Sequence, residues 1–334
     1  MAITEIITHQ DCYGHNPGEG HPESPARLKA IVSVLEKNFP ESGTVIWKEA
    51  PLASKEQILY CHTESHFENL KTVTSHLSLG DDPVSTDVDT RVSQGSFNAA
   101  LRGAGAACMA VDDVYHGRVK NAFCVVRPPG HHALKNATMG FCLFGNAAIA
   151  AFHALTKDGI DRVVIVDFDV HHGNGTQDLV ENNPDILLFS THQDDLWPYQ
   201  GQSTDVGVCG NIRNIPVPIH SDPQLYRDIF EQKILPEINS FKPDFIIISA
   251  GFDAHRDDPP ADQLFNDPAG RQMLTEADFN WMTSALLRVA DVHANGRVVS
   301  VLEGGYNVDV LSSCCSEHVN TLSSAYAVEM KSAS

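Results

Sequence analysis

The stretch that decides the fold is RVVIVDFDVHHGNG, residues Arg162–Gly175. Its first part is a short run of apolar, mostly β-branched residues, which is typical of a strand buried on both faces of a parallel sheet. The run passes directly into aspartates and histidines, and then into glycine. In open parallel sheets, ligands bind beyond the carboxyl ends of the strands. The segment therefore predicts a buried strand with a chemical site at its end.

The rest of the chain repeats this alternation of short apolar runs and amphipathic segments. We expect strands at Ala122–Arg127, Arg162–Asp167, Asp185–Ser190, Asp244–Ala250 and Arg297–Leu302. Helices are predicted at Gln94–His116, Asn146–Lys157, Pro223–Ile238 and Glu276–His293, with Ser93, Asp222 and Thr275 as N-caps. Strand alternating with helix predicts a doubly wound α/β sheet.

No repeat or low-complexity linker divides the chain, which indicates one domain spanning residues 1–334. Within it we expect a catalytic core over about 15–310 and a C-terminal helical tail over about 311–334.

The charge balance excludes some classes of partner. The 334 residues include 23 Lys+Arg and 43 Asp+Glu, a formal net charge of −20. Binders of nucleic acid and of anionic membranes need a basic surface, so neither class is expected. The first residues, MAITEIITHQD, lack the pattern of a secretory signal, and the eight cysteines are scattered without a CxxC pair. We therefore expect a cytoplasmic globular protein with free, mostly buried thiols.

Four predicted strands end in loops rich in chemically active residues. Each strand and the loop that follows it form one of the segments CVVRPPGHH, VVIVDFDVHHGNG, IIISAGFDAH and VVSVLEGGYN. Because the carboxyl ends of parallel strands meet at one edge of a sheet, we expect the four loops to form a single site.

Asp169, His171 and Asp253 have the composition of a metal site. Asp169 and His171 lie two residues apart where a strand ends, so their side chains can point the same way. Asp253 follows another predicted strand. Three protein ligands with an open position are typical of catalytic zinc, although ferrous iron or cobalt accepts the same donors.

The tandem pair His131 and His132 indicates proton transfer, because imidazole titrates near neutrality. Asp167 and Asn174 are each able to orient one imidazole. Tyr306 lies after two glycines, where a phenol is able to donate to a developing oxyanion. The residues alone leave open that the histidines are hydrogen-bonded core residues and that Tyr306 only packs beside a glycine turn.

Taken together, RPPGHH, MGFCLFGN, DFDVHHGNGTQ, SAGFDAH and LEGGYN resemble the signature segments of the histone deacetylase superfamily. The resemblance is greatest to the class II-like bacterial deacetylases, also called histone deacetylase-like amidohydrolases. It runs from His21 to Asn307, about nine-tenths of the chain. It implies the arginase/deacetylase fold, a single domain with a mostly parallel sheet of about eight strands. It also implies hydrolysis of N6-acyl-lysine, or of a similar acylated amine, with one zinc ion per subunit.

The resemblance also implies roles for individual residues. His132 is expected to act as general base and then acid, His131 to give electrostatic support, and Tyr306 to polarise the acyl carbonyl. Asp167 and Asn174 would support His131 and His132.

Zinc would be held by Asp169, His171 and Asp253. The substrate would be contacted by Gly140, Phe141, Trp197 and Gly304. A structural potassium ion would use Asp167, Asp169, His171, Ser190 and Thr191. Arg27 matches an arginine of the family's internal acetate channel.

Two departures from the family pattern concern substrate preference. Trp197 is bulkier than the usual Phe or Tyr, and Gln263–Gln272 looks like an insertion near the rim. An N-acetylpolyamine deacetylase and a catalytically inactive acyl-lysine binding module therefore remain alternatives, and a homo-oligomer is possible. An arginase-like enzyme with two manganese ions is disfavoured, because Gly173 stands where a further metal-binding carboxylate is needed.

Overall fold

The computed structural model describes residues 4–258 and 270–324. Eight strands form one sheet in which every pairing is parallel, in the order β2-β1-β5-β10-β9-β6-β7-β8. These strands are β1 Thr4–Thr8, β2 Val45–Glu49, β5 Asn121–Cys124, β6 Val163–Asp167, β7 Ile186–Gln193, β8 Ile212–Val217, β9 Phe245–Ala250 and β10 Val298–Leu302. A short antiparallel pair consists of β3 Val84–Ser85 and β4 Arg91–Val92.

Helices cover both faces of the sheet, and for this reason the central strands are buried along their whole length. They are α1 Pro25–Asn38, α2 Lys55–Ile58, α3 Glu64–Ser75, α4 Ser96–Tyr115, α5 Asn146–Leu155, α6 Asn174–Val180, α7 Pro223–Ile229, α8 Leu235–Phe241, α9 Glu276–His293 and α10 Val308–Ser324. A 3₁₀ turn at Gln10–Gly14 precedes α1, and a π-helical turn at Phe230–Ile234 joins α7 to α8. Helices α4 and α5 pack together on the sheet, and α1, α9 and α10 form a second group.

The predicted α/β class with about eight parallel strands is confirmed. The five strands expected from apolar runs are present, with small differences at their ends. Strands β1, β2 and β8 were not expected from the local pattern. Two of them, β2 and β8, lie at the edges of the sheet, and both contain charged residues that interrupt the apolar pattern.

The predicted start of α4 is wrong, because the helix begins at Ser96 with Gly95 as N-cap. Gly95 packs so closely against Gly14 that a Cβ would lie 2.4 Å from the Gly14 carbonyl oxygen. The Ser93 N–H donates to Ser96 Oγ at 2.7 Å, so this residue forms the turn before the helix. The N-caps Asp222 and Thr275 are confirmed.

The strand order places β5, β10, β9 and β6 side by side. The loops after these strands carry His131 and His132, Tyr306, Asp253 and Asp169, respectively. The expectation that four strand ends share one edge of the sheet is therefore confirmed.

The region expected as a C-terminal tail contains most of α10, which packs against α1, α9 and the sheet. In this helix His318 is hydrogen-bonded to Thr283 of α9 and to Ser300 of β10. Residues 325–334 lie outside the described part of the chain. Among the described residues, no helix is both long and apolar enough to span a membrane.

Candidate active site

Asp169, His171 and Asp253 come together at the centre of this edge, each offering a ligand atom within 4.8 Å of the others. His171 Nδ1 lies 3.1 Å from Asp169 Oδ1 and 3.4 Å from Asp253 Oδ2. All three residues are buried, and Asp253 Oδ2 accepts no hydrogen bond from the described residues. A buried carboxylate oxygen without a donor is costly, so the site fits a bound cation. One nitrogen and two carboxylate donors suit a divalent metal such as zinc.

Two glycines make room for these carboxylates. A Cβ on Gly251 would lie 1.9 Å from Asp169 Oδ2, and one on Gly304 would lie 2.1 Å from Asp253 Oδ2. Gly304 was expected to contact the substrate, and the structure places it against the metal-site carboxylates. A side chain at either position would therefore displace the candidate ligands.

The tandem histidines lie beside the metal site, with ring centroids 3.9 Å apart. His131 Nδ1 is 3.1 Å from Asp167 Oδ2, and His132 Nδ1 is 2.7 Å from Asn174 Oδ1. The structure thus pairs each imidazole with the partner expected from the sequence. Because Asn174 accepts from Nδ1, the Nε2 of His132 is left as the proton acceptor.

The two histidines have opposite electrostatic environments. Burial opposes charge on His131, but Asp169 and Asp167 outweigh it and raise the pKa of His131 to about 10. Burial and the neighbouring His131 and His171 lower the pKa of His132 well below its usual value. His131 is therefore suited to carry a positive charge, and His132 to remain a neutral base.

Aromatic side chains surround the approach to these groups. Trp197 meets His132 edge to face, with centroids 4.6 Å apart, and Phe141 meets Tyr306 in the same way at 6.0 Å. A Cβ on Gly140 would lie 2.4 Å from His132 Cδ2 and 2.6 Å from Trp197 Cη2. Gly140, Phe141 and Trp197 therefore lie beside the tandem histidines and Tyr306.

The residues expected to hold potassium meet at the ends of β6 and β7, where Asp167 is paired in register with Ser190. Ser190 Oγ accepts from the N–H of Gly173 at 3.2 Å. Thr191 Oγ1 is buried and has no hydrogen-bond partner among the described residues.

Residues 263–269 of the expected insertion lie outside the described ones, but its last residues are anchored. Gln193 Oε1 accepts from the N–H of Arg271 at 2.7 Å and from Gln272 Nε2 at 2.9 Å. A Cβ on Gly270 would lie 2.2 Å from a methyl group of Val170, next to the candidate ligand Asp169. This end of the segment thus packs directly behind the metal loop.

Comparisons with known proteins identify the family of the chain. A family model described as the histone deacetylase domain matches residues 21–322. The chain belongs to the histone deacetylase family. The family match ends at residue 322, within α10, whereas the motifs in the sequence end at Asn307.

Relatives in the histone deacetylase family share sequence over most of the chain. Histone deacetylase 14, chloroplastic, from Arabidopsis thaliana is 38% identical, over 92% of this chain and 74% of that protein. The histone deacetylase-like amidohydrolase of Pseudomonas aeruginosa is 35% identical, over 88% of this chain and 75% of the relative. The solved HD domain of HDA15 matches with a TM-score of 0.86 and 34% identity. The match covers 97% of this chain and 90% of that domain's chain. The arginase/deacetylase fold expected from the motifs is thereby confirmed.

Two buried carboxylates in this histone deacetylase domain were not predicted as site residues. Glu303 Oε2 accepts from the N–H groups of Gly130 at 2.6 Å and His131 at 3.1 Å, so it holds the tandem-histidine turn. Asp258 accepts from the N–H groups of Tyr306 and Asn307. Burial raises the pKa of both carboxyls to about 7. The sequence shows Glu303 only as an acidic residue in LEGGYN and Asp258 only as one in RDDP. Neither pattern indicates which group the carboxyl would hydrogen-bond.

Proposed function

We propose that this protein is a zinc-dependent amidohydrolase that removes an acetyl or other short acyl group from N6-acyl-lysine or a similar acylated amine. The observation that carries the proposal is the ligand set of Asp169, His171 and Asp253 beside the oriented pair His131 and His132. Membership of the histone deacetylase family supports amide hydrolysis as the reaction class.

One zinc ion per subunit would be held by Asp169, His171 and Asp253. When bound, zinc lowers the pKa of a coordinated water to about 7 and polarises a carbonyl. His132 takes a proton at Nε2 from the attacking water, because its Nδ1 is engaged by Asn174. The same nitrogen then returns the proton to the departing amine.

His131 and Tyr306 stabilise charge during this reaction. His131 is paired with Asp167, which favours its protonated form, and a positive charge there would support the reacting groups. The Tyr306 hydroxyl donates to the oxygen of the acyl carbonyl as negative charge develops there. A hydrogen bond to this oxygen is worth more in a buried site than in water.

Phe141 and Trp197 would flank the acylated side chain, with Gly140 beside its inner end. Their apolar surfaces suit the methylene chain of lysine or of an alkyl amine. We further propose a structural potassium ion at Asp167, Asp169, His171, Ser190 and Thr191. The buried Thr191 Oγ1, which has no hydrogen-bond partner among the described residues, is consistent with a cation nearby.

A substrate panel tests the proposed function. Purified protein with its zinc content measured would be assayed on acetyl-lysine peptides, longer acyl-lysine peptides and acetylated polyamines, with and without a hydroxamate. We expect hydroxamate-sensitive turnover of acetyl-lysine peptides, loss of activity in His132→Ala, and no change in the exposed control His116→Ala.

Other results would identify the alternatives. Bound zinc without turnover of any substrate would indicate an acyl-lysine binding module. Turnover restricted to acetylated polyamines would indicate a polyamine deacetylase. Protein that binds no zinc but hydrolyses the peptides would contradict the zinc assignment.

A further inference from the structure

The peptide group that joins Gly305 to Tyr306 is held at both ends by buried polar side chains, those of Asp258 and Arg27. On one side, Asp258 Oδ1 accepts from the N–H of Tyr306 at 2.8 Å and from that of Asn307 at 2.9 Å. On the other side, Arg27 Nε donates to the carbonyl oxygen of Gly305 at 2.6 Å. Because a peptide group is planar, fixing both its oxygen and its N–H fixes the orientation of the plane.

Arg27 and Asp258 are themselves held in place. Arg27 is fully buried, lies 3.3 Å from Glu23 Oε1, and stacks with its guanidinium carbon 5.0 Å from the centre of the Tyr306 ring. Asp258 is only 8% exposed, and its N–H donates to the carbonyl of His255. Neither group is therefore free to follow a movement of the peptide.

Asp258 also connects Tyr306 to the metal site through the chain. His255 donates its N–H to the Phe252 carbonyl at 3.2 Å, so two successive turns lead from the loop of Asp253 to Asp258. The side chain of Asn307 donates to the Asp257 carbonyl at 2.8 Å, which adds a third contact between the same two loops. The position of Tyr306 relative to Asp253 is thus set by this short connection.

The Tyr306 side chain has little else to fix it. None of the described residues hydrogen-bonds its hydroxyl, and its ring meets Phe141 and Arg27 only through face and edge contacts. The position of the hydroxyl therefore depends on the backbone that carries the ring as well as on these two ring contacts. Gly305 has φ at +113°, in the region that favours glycine. Because glycine adopts many backbone conformations, Gly305 does not by itself fix the orientation of the peptide that follows it.

We propose that Asp258 is a positioning residue for Tyr306: its carboxylate fixes the Gly305–Tyr306 peptide and thereby the place at which the phenol hydroxyl meets the acyl oxygen. The inference rests on the proposed deacylase function. Removing the carboxylate leaves two N–H groups without an acceptor at the start of α10 and frees one end of the peptide. A displacement of about 1 Å at a reacting group costs about 100-fold in rate.

Steady-state kinetics on an acetyl-lysine peptide test the inference, with zinc content and thermal unfolding measured on every variant. We expect Asp258→Ala to lower kcat by about 10- to 100-fold with KM changed less than about threefold, because the hydroxyl acts in the transition state. Asp258→Asn keeps an acceptor oxygen and should retain most of the rate. Asp257→Ala is the matched control, since that neighbouring side chain is 63% exposed and only its backbone contacts Asn307.

A double-mutant cycle separates positioning from general damage to the fold. If Asp258 acts through the Tyr306 hydroxyl, Asp258→Ala should have almost no further effect in a Tyr306→Phe background. Equal losses in both backgrounds, or loss of zinc in Asp258→Ala, would overturn the inference. If Asp258→Ala does not fold, Asp258→Ser replaces it, because a shorter side chain does not reach both N–H groups. A wild-type protein without turnover would instead contradict the proposed function itself.

Discussion

The backbone N–H of Gly304 donates a hydrogen bond to Asp169 Oδ2, 2.9 Å away, although the two residues are 135 positions apart in the chain. Gly304 follows β10, and Asp169 follows β6. The contact connects the loop that carries Tyr306 directly to a proposed zinc ligand. The relative position of the Tyr306 loop and the candidate metal ligands is therefore controlled by backbone as well as by side chains.

This contact makes Gly304 intolerant of substitution. In Gly304→Ala the new Cβ would lie 2.1 Å from Asp253 Oδ2 and 2.5 Å from Asp169 Oδ2, so both carboxylates must move. We expect loss of bound zinc, measured by elemental analysis, and a fall in turnover of at least about 100-fold. The control is Gly43→Ala, where no atom lies within 4 Å of the new Cβ. Full zinc occupancy in Gly304→Ala would show that the ligands are less constrained than the structure indicates.

Tyr306→Phe tests the oxyanion donor. Loss of one such donor lowers kcat by about 10²–10³. We expect this loss in kcat on an acetyl-lysine peptide, with zinc content and thermal stability unchanged because the ring remains. Tyr115→Phe, whose hydroxyl bonds the distant Asp158 carbonyl, should retain the wild-type rate. An unchanged rate in Tyr306→Phe would remove the phenol from the mechanism.

Trp197 is expected to limit the size of the acyl group. Its ring lies against His132, and its Cη2 would be 2.6 Å from a Cβ on Gly140. In Trp197→Phe this space opens, and we expect kcat/KM for a butyryl-lysine peptide to rise about 10-fold relative to the acetyl peptide. The exposed Tyr199→Phe serves as a control on the same loop. A constant ratio would place acyl selection elsewhere.

Buried neutral histidines should make the protein sensitive to acid. Burial lowers the pKa of His62 and of His318 to about 3. Unfolded histidines bind a proton near pH 6.5, so the unfolded state gains protons first, and stability is lost as the pH falls from about 6.5 towards 3. Each group contributes at most about 1.4 kcal/mol per pH unit in this range.

Urea unfolding of wild type and His318→Asn at pH 7 and pH 5 measures this effect. The variant should start less stable, because His318 bonds both Thr283 and Ser300, but should lose less stability between the two pH values. His116→Asn, at an exposed position, should follow the wild type. Identical pH dependence of wild type and His318→Asn would show that His318 is not responsible.

Most of the candidate site was predictable because its signals are local. An apolar run followed by Asp169 and His171 identifies a strand end and two candidate metal ligands within a few residues. The tandem histidines and the Gly-Gly-Tyr segment are readable in the same way. Asp258 and Glu303 were missed because their partners are backbone N–H groups, which leave no mark on the sequence. The start of α4 was misplaced because the approach of Gly14 to Gly95 is a contact between distant segments.

The local pattern of the chain decides which segments are buried strands and which residues end them, because burial of apolar side chains follows directly from their order. It does not decide how the strands are arranged. Along the chain the four site strands run β5, β6, β9, β10, whereas in the sheet they lie β5, β10, β9, β6. Only this pairing brings Gly304 to Asp169 and Asp258 to Tyr306. The reason is that strand order and loop contacts depend on the free energy of packing between distant segments, and the sequence of one segment does not determine that free energy.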